Sequence, residues 1–438
     1  MRSAQEHKTG SVLNYSQEVK NCFSDSIGSN GLSSSNYAAN ITACSDARDH
    51  VRKLFDSGDL PMLSLTQQND NFLDITEAGQ RFRAQWNQLV FIGIGGSSLS
   101  GQCLADLAKI SITTQPIFLD GLDGDTLDHV LNSIQLCRTG FIVISKSGHT
   151  LEPLAQTLVS IRALKEAGVS QIGKHFLAIV EPGKSPLRQV ASYLNITTID
   201  HDPKIIGRYS ALSPVGMLPA LLFGLNPSAL RKGADETLKR TLKGPINDAP
   251  PAVGAAIAVG LAKQCGVTEN VLMTYSDRLK HLGPWYSQLW AESLGKRGVG
   301  TTPISARGPA DQHSLLQLFL DGPANKFFTL VTTDTAGCGA LIPTDLANQA
   351  GLEFLEGQRI GDILGAQATA TSDTLAEHGR PTRLIKLSKL DEYSVGALFM
   401  HFMLETIIAA EMLGVDPFNQ PAVEAGKIRA QHYLMAHK

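Results

Sequence analysis

Between residues 89 and 199, short apolar runs alternate with longer stretches whose apolar residues recur every three or four positions. The runs Leu89–Ile94, Gln115–Leu119, Gly140–Ile144, Phe176–Val180 and the weaker Thr197–Ile199 predict strands. The stretches between most of them predict helices, and regular alternation of this kind predicts a doubly wound parallel sheet. Helical patterns at Leu212–Leu225 and Pro227–Leu242 carry the chain away from that unit and place a boundary near residue 230. After Pro250-Pro251 the pattern restarts. Ala252–Cys265 reads as a small-residue helix, Asn270–Tyr275 as a strand, Asp277–Leu294 as a helix, and Lys326–Thr332 and Thr382–Lys386 as strands. A long helix over Ser394–Leu413, a turn over Pro417–Pro421 and a helix over Ala422–Ala436 complete the chain. The expected fold class is α/β: two doubly wound αβα sandwiches with mainly parallel sheets, over residues 46–230 and 231–414, followed by a C-terminal turn and helix over 415–438.

Residues 1–45 are polar, with Ser, Asn and Gly concentrated between Ser24 and Ser35. That composition predicts a loosely ordered or surface-wrapping arm without chemistry. Helical patterns are expected over Ser45–Leu60 and Ile75–Asn87.

Composition narrows the partners. A formal charge of −3 and a pI near 6.5 give no global field for nucleic acid or an anionic membrane, so neither is expected. The six cysteines are scattered singly and no Cys/His spacing suits zinc, which predicts reduced thiols and no metal. No apolar leader opens the chain, and apolar stretches such as Leu212–Leu225 are broken by proline and glycine, so a cytoplasmic protein is expected.

Two turns stand out against this background. Val90 to Gly101 runs from a strand through Gly93-Ile94-Gly95-Gly96-Ser97-Ser98 into a helix, an arrangement that brings free N–H groups and the positive end of a helix to a ligand. Phe141 to Thr150 repeats it with Ser145, Lys146, Ser147 and Thr150. In a parallel sheet both turns lie at the carboxyl ends of their strands and together suit a phosphate.

Four further clusters carry polar residues. Gly207-Arg208-Tyr209-Ser210 offers a guanidinium for an oxyanion, or a structural ion pair. Gln288 and Glu292 share a helix face one turn apart, with Trp285, Leu289 and Trp290 nearby as apolar walls; Glu292 suits a general base, or a helix-end partner for Lys296. Asp311-Gln312-His313-Ser314 offers a proton shuttle whose tautomer Asp311 would fix, or a capped helix start. Asp416 to Lys427 places Gln420 in a turn and Lys427 on a helix, where a surface lysine is the plain alternative.

Taken in order, these six motifs resemble the glucose-6-phosphate isomerase family, built from two sugar-isomerase (SIS) domains, and the resemblance covers roughly residues 50 to 430. It implies that Gly96, Ser97, Ser145, Lys146, Ser147 and Thr150 hold a sugar phosphate, and that Gly207, Gln288 and Gln420 contact the rest of the substrate. It further implies Glu292 as the base moving a proton between C2 and C1, Arg208 as the enediolate stabiliser, and His313 with Lys427 as ring-opening groups. No cofactor is implied. The implied partner is a second copy: a homodimer in which His313 comes from the neighbouring subunit. The sequence departs from the family pattern at Ile206, His149 and Pro309-Ala310. A dual-specificity phosphoglucose/phosphomannose isomerase and a non-catalytic sugar-phosphate-binding regulator remain as alternatives, the second needing only the cradle.

Overall fold

The structure, a computed structural model, describes residues 14–67 and 72–436. Its strands are β1 (Tyr15–Glu18), β2 (Gln88–Ile92), β3 (Ile117–Leu119), β4 (Thr139–Ile144), β5 (Phe176–Val180), β6 (Thr197–Asp200), β7 (Glu269–Thr274), β8 (Thr302–Arg307), β9 (Lys326–Thr333) and β10 (Thr382–Leu387). They form two five-stranded sheets. The first, in the order β3-β2-β4-β5-β6, is parallel throughout. The second, in the order β1-β10-β9-β7-β8, is parallel except for β1, which pairs antiparallel with β10.

Why the central runs lack a polar face is visible in β4. Phe141 and Val143 enter a core on the outer side of the first sheet, while Ile142 and Ile144 enter a larger core shared with the second unit. A parallel strand covered on both faces needs apolar residues at every position. Strand β7 divides likewise, with Leu272 in the shared core and Val271 and Met273 outside it.

Helix Glu392–Leu413 runs through the shared core and is buried from Ser394 to Ala410. Among the described residues it alone is long and apolar enough to cross a membrane; 89% of that window is buried inside the protein, as in a core helix. Against it pack helices Ser34–Asp56, Pro227–Lys243, Pro250–Gln264 and Leu282–Leu294. The Pro227–Lys243 contact is backbone on backbone. A Cβ on Gly233 would fall 1.9 Å from the Tyr393 carbonyl oxygen, and one on Gly396 the same distance from that of Leu230.

The arm expected over residues 1–45 is corrected here. Residues 1–13 lie outside the described residues, but β1 completes the second sheet, and helix Ser34–Asp56 starts well before Ser45, capped by the Ser33 hydroxyl accepting from the Asn36 N–H. Asn40, Cys44, Ala47 and Val51 are its buried stripe. The spacing is helical, but Asn and Cys in the stripe and serines around it give the segment a loop's composition. Strand β8 and helix Ile360–Glu377 also went unanticipated.

A buried polar network fastens β1 to the core. Arg383 Nη1 donates to Glu405 Oε2 at 2.9 Å, and the Arg383 Nε and Nη2 groups donate to Thr329 Oγ1 at 3.1 and 2.9 Å. His401 Nε2 lies 2.9 Å from the same Glu405 oxygen, and its Nδ1 lies 2.8 Å from the Tyr15 hydroxyl. A carboxylate only accepts, which puts the imidazole proton on Nε2 and makes Tyr15 the donor to Nδ1. Burial alone would raise the Glu405 pKa; Arg383 and His401 outweigh it and hold the carboxyl below its usual range.

Glu405→Gln leaves Arg383 buried without its counter-charge and should destabilise the protein by about 3–5 kcal/mol in urea unfolding, whereas Tyr15→Phe should cost about 1 kcal/mol. A Glu405→Gln protein as stable as Tyr15→Phe would show that the carboxylate does not compensate Arg383.

Candidate active site

The first sheet runs from β2 to β3 on one side and from β2 through β4 and β5 to β6 on the other, so its order reverses between β2 and β4. The loops after those two strands face the crevice that such a reversal opens. In the first loop, Gly95 takes φ +57°, and a Cβ on Gly96 would sit 2.3 Å from the Gly207 carbonyl oxygen. Only glycine lets the loop touch the 207–212 segment backbone to backbone. Ser97 is half-buried beside it.

The second loop carries Ser145, whose buried Oγ has no hydrogen-bond partner among the described residues. A buried orphan hydroxyl marks a place for a ligand oxygen. Lys146 Nζ lies 3.3 Å from Glu181 Oε1, and Ser147 Oγ accepts the His149 N–H at 3.2 Å. Thr150 occupies the N-cap of helix Leu151–Glu166 without a side-chain capping bond, so the first N–H groups of that helix lack a side-chain partner there. Behind the loop, His201 is fully buried with Nδ1 2.8 Å from the Asp202 carbonyl oxygen, and burial pushes its pKa down to about 4.

Arg208 joins three parts of the chain at the crevice. Its side chain is 1% exposed. Nε donates to Ser293 Oγ at 2.9 Å, Nη2 to the carbonyls of Pro417 and Asn419 at 2.6 and 3.0 Å, and Nη1 to Gln420 Oε1 at 2.5 Å and Glu292 Oε2 at 3.1 Å. Glu292 takes a second bond on Oε1, from Gln288 Nε2 at 3.0 Å, and remains one-third exposed. Gln288 in turn borders the first loop, since a Cβ on Gly95 would fall 2.8 Å from its Nε2. The structure therefore brings Gly96, Gly207, Arg208, Gln288, Glu292 and Gln420 together, beside the Ser145–Thr150 loop. A carboxylate with free lone pairs next to a buried guanidinium can remove a proton from carbon while the cation meets charge developing on a neighbouring oxygen.

Two expected residues are not part of this cluster. Helix Leu282–Leu294 lies antiparallel to β8: its Trp290 Nε1 donates to Thr301 Oγ1 at 2.9 Å where the strand begins, and a Cβ on Gly283, at its start, would meet Ser305 Oγ near the strand's end. Glu292 is thus near the amino end of β8, and His313, exposed in the loop after β8, is beyond its carboxyl end. Each element is roughly 20 Å long. Lys427 is also exposed, 2.8 Å from Glu424 on helix Glu424–Ala436, none of whose residues is buried.

Three local expectations change. Trp285 packs on Phe399 and Trp290 on Tyr286, which packs on Phe402; these rings anchor the helix in the core and do not wall the carboxylate. Asp311 accepts from the Arg307 N–H and the Ser314 hydroxyl, not from His313; it is Gln312 that ties down the loop, donating to the Tyr275 hydroxyl at 2.7 Å and Thr371 Oγ1 at 2.5 Å. Lys296 donates to the carbonyls of Ser293 and Asp416, leaving Glu292 to Arg208. Ser293 and Glu181 were missed as site residues. Ser293 stands beside Glu292 in sequence, and Glu181 directly follows β5, at the strand end where such sites form.

Because the folded pKa of His201 lies below its usual 6.5, the native state binds fewer protons than the unfolded chain in acid. Its contribution to stability is complete above about pH 6.5 and is lost as pH falls toward 4. His201→Gln should flatten the decline of Tm across that window, measured by calorimetry, and an unchanged slope would assign the decline to other groups.

Known proteins resemble this chain in sequence and in fold. Residues 65–437 match the family model described as phosphoglucose isomerase. The glucose-6-phosphate isomerase of Rubrobacter xylanophilus is 35% identical over 362 residues, covering 80% of this chain and 83% of its own. The probable glucose-6-phosphate isomerase of Methanococcus maripaludis is 29% identical over 424 residues, 95% of this chain and 94% of its own. Among solved structures, a hypothetical protein from Thermus thermophilus superposes with a TM-score of 0.82 at 31% identity, over 91% of this chain and 96% of that one. A glucose-6-phosphate isomerase from Chlamydia trachomatis shares the fold, with a TM-score of 0.81 at 20% identity over 98% and 89%. Matched by the family model over most of its length and by a relative above 30% identity over four-fifths of it, the chain belongs to the phosphoglucose isomerase family.

Proposed function

We propose that this protein is a glucose-6-phosphate isomerase, an aldose–ketose isomerase interconverting glucose 6-phosphate and fructose 6-phosphate through a cis-enediol(ate). The observation that carries the reading is Arg208 Nη1 at 3.1 Å from Glu292 Oε2, beside the Ser145–Thr150 loop. Phosphate sits among Ser97, Ser145, Lys146, Ser147 and Thr150, and the sugar extends toward Gly96, Gly207, Gln288 and Gln420. Glu292 removes the C2 proton and returns it at C1; Arg208 stabilises the negative oxygen. A regulator that only holds a sugar phosphate would need the crevice but not a carboxylate presented beside a buried guanidinium. Six free cysteines suit a cytoplasmic setting.

The complete site is read as shared between two copies. In support, Glu292 and His313 lie at opposite ends of β8. Helix Glu424–Ala436 also exposes Ile428, Tyr433, Leu434 and Met435, an apolar surface suited to a partner chain. In this reading His313 of a second copy, with Lys427, opens the sugar ring.

Glu292→Gln keeps the shape of the side chain and its hydrogen-bonding sites while removing the proton acceptor. Its kcat should fall at least about 10²-fold with KM little changed, and exchange of the C2 proton with deuterated solvent should stop. Ring opening should persist, read as anomer interconversion. Continued deuterium wash-in at C2 would place the base elsewhere.

Mixing inactive Glu292→Gln and His313→Ala chains under subunit exchange should restore about a quarter of parental activity, since half the dimers are mixed and each has one intact site. Mixed dimers that form and stay inactive would put His313 in its own chain's site.

A further inference from the structure

The second sheet repeats the wiring of the first. The chain passes from β7 to β8 on one side and from β7 through β9 to β10 on the other, so the order reverses between β7 and β9. At the carboxyl ends of β9 and β10, alongside Tyr275 just after β7, lies a cavity of about 450 Å³. That size suits a small organic ligand. The geometry points to this crevice as a binding site for a small polyhydroxylated amine, such as an amino sugar without phosphate, and not for a second phosphate.

Two hydroxyls on largely buried residues supply the first argument. Thr332 and Ser372 line the cavity, each is 8% exposed, and neither hydroxyl has a hydrogen-bond partner among the described residues. Each side chain is mostly buried while its hydroxyl is left unused by the described residues, so both are available to an occupant. Thr333, Thr335 and Thr369 add further hydroxyl-bearing walls.

Charge supplies the second argument, and it reverses the chemistry of the first crevice. Three N–H groups at the cavity are already taken by acids: Gly337 and Arg359 donate to the two oxygens of Asp362, each at 2.7 Å, and Ala336 donates to Asp334 at 3.3 Å. The two bonds to Asp362 hold its carboxyl below the usual range, so it is ionised near neutrality. Glu18 and Asp373 stand on the same walls, against a single cation, the exposed Lys386. Four carboxylates against one ammonium repel phosphate and attract an amine, while the hydroxyls pair with a polyol.

Direct titration of the full-length protein tests this without relying on the isomerase reading. Glucosamine hydrochloride is titrated calorimetrically at about pH 6.5, below the ordinary range of an α-amino group, with saturating inorganic phosphate filling the first crevice. Saturable binding with Kd on the order of 1–10 mM is expected, with glucose at least about tenfold weaker. Thr332→Val/Ser372→Ala should weaken glucosamine at least about tenfold. Gly365→Leu should abolish binding by filling the cavity, since a Cβ at Gly365 meets only Thr335 Oγ1, at 3.2 Å, and the fold should tolerate the change. The proposal is overturned if wild-type binding is absent, if phosphate displaces glucosamine, if glucose binds equally well, or if both folded variants bind like the parent.

Discussion

The guanidinium of Arg208 is the contact on which the site's geometry depends. Removing such a group from water costs several kcal/mol unless its donors are matched, and here all three nitrogens are engaged by acceptors from the 293, 292 and 417–420 segments. Those segments come from the end of one helix and the turn after another, while Arg208 itself follows the last strand of the first sheet. The bonds that settle the buried charge therefore also set the distance between the two sheets' loops. Four of the five hold Arg208 in place and the fifth reaches Glu292, so its position is decided by the scaffold before any substrate arrives, which is the condition for electrostatic stabilisation without reorganisation.

A second constraint follows from how a β–helix–β unit must be built. Parallel strands require the connecting helix to run back against them, so residues at its end and residues after the next strand lie at opposite ends of the strands. Glu292 and the His313 loop occupy those two positions. No side-chain rotation spans a distance of roughly 20 Å, and the exposed helix beyond Gln420 is short of apolar cover in the same chain. Backbone topology, more than any one contact, is what keeps Glu292 and His313 of one chain apart.

Legibility of the sequence followed burial. The central strands β2, β4, β5 and β7 are apolar on both faces and could be read directly, as could the glycine and serine turns after β2 and β4. Strands β1 and β8 are edge strands, with sequences Tyr-Ser-Gln-Glu and Thr-Pro-Ile-Ser-Ala-Arg, and half-solvated edges carry little apolar signal. Helix spacing placed Gln288 and Glu292 on one face correctly, but it could not say that Trp285 and Trp290 turn toward Phe399 and Tyr286, because periodicity gives a face and not its neighbour. The same limit hid Gln312, whose anchoring partners Tyr275 and Thr371 are distant in sequence.

One strand reversal, used twice in the chain, produces two crevices of opposite character, and the difference lies in the side chains that line them. After β4 the loop leaves a buried serine unpaired and brings a lysine beside it. After β9 the equivalent loop turns its N–H groups onto Asp334 and Asp362, filling with fixed carboxylates the positions an incoming anion would use. A helix start or a strand reversal is therefore only a potential anion site. Whether the potential is realised depends on whether the chain's own acids reach the N–H groups first, and in the second crevice they do.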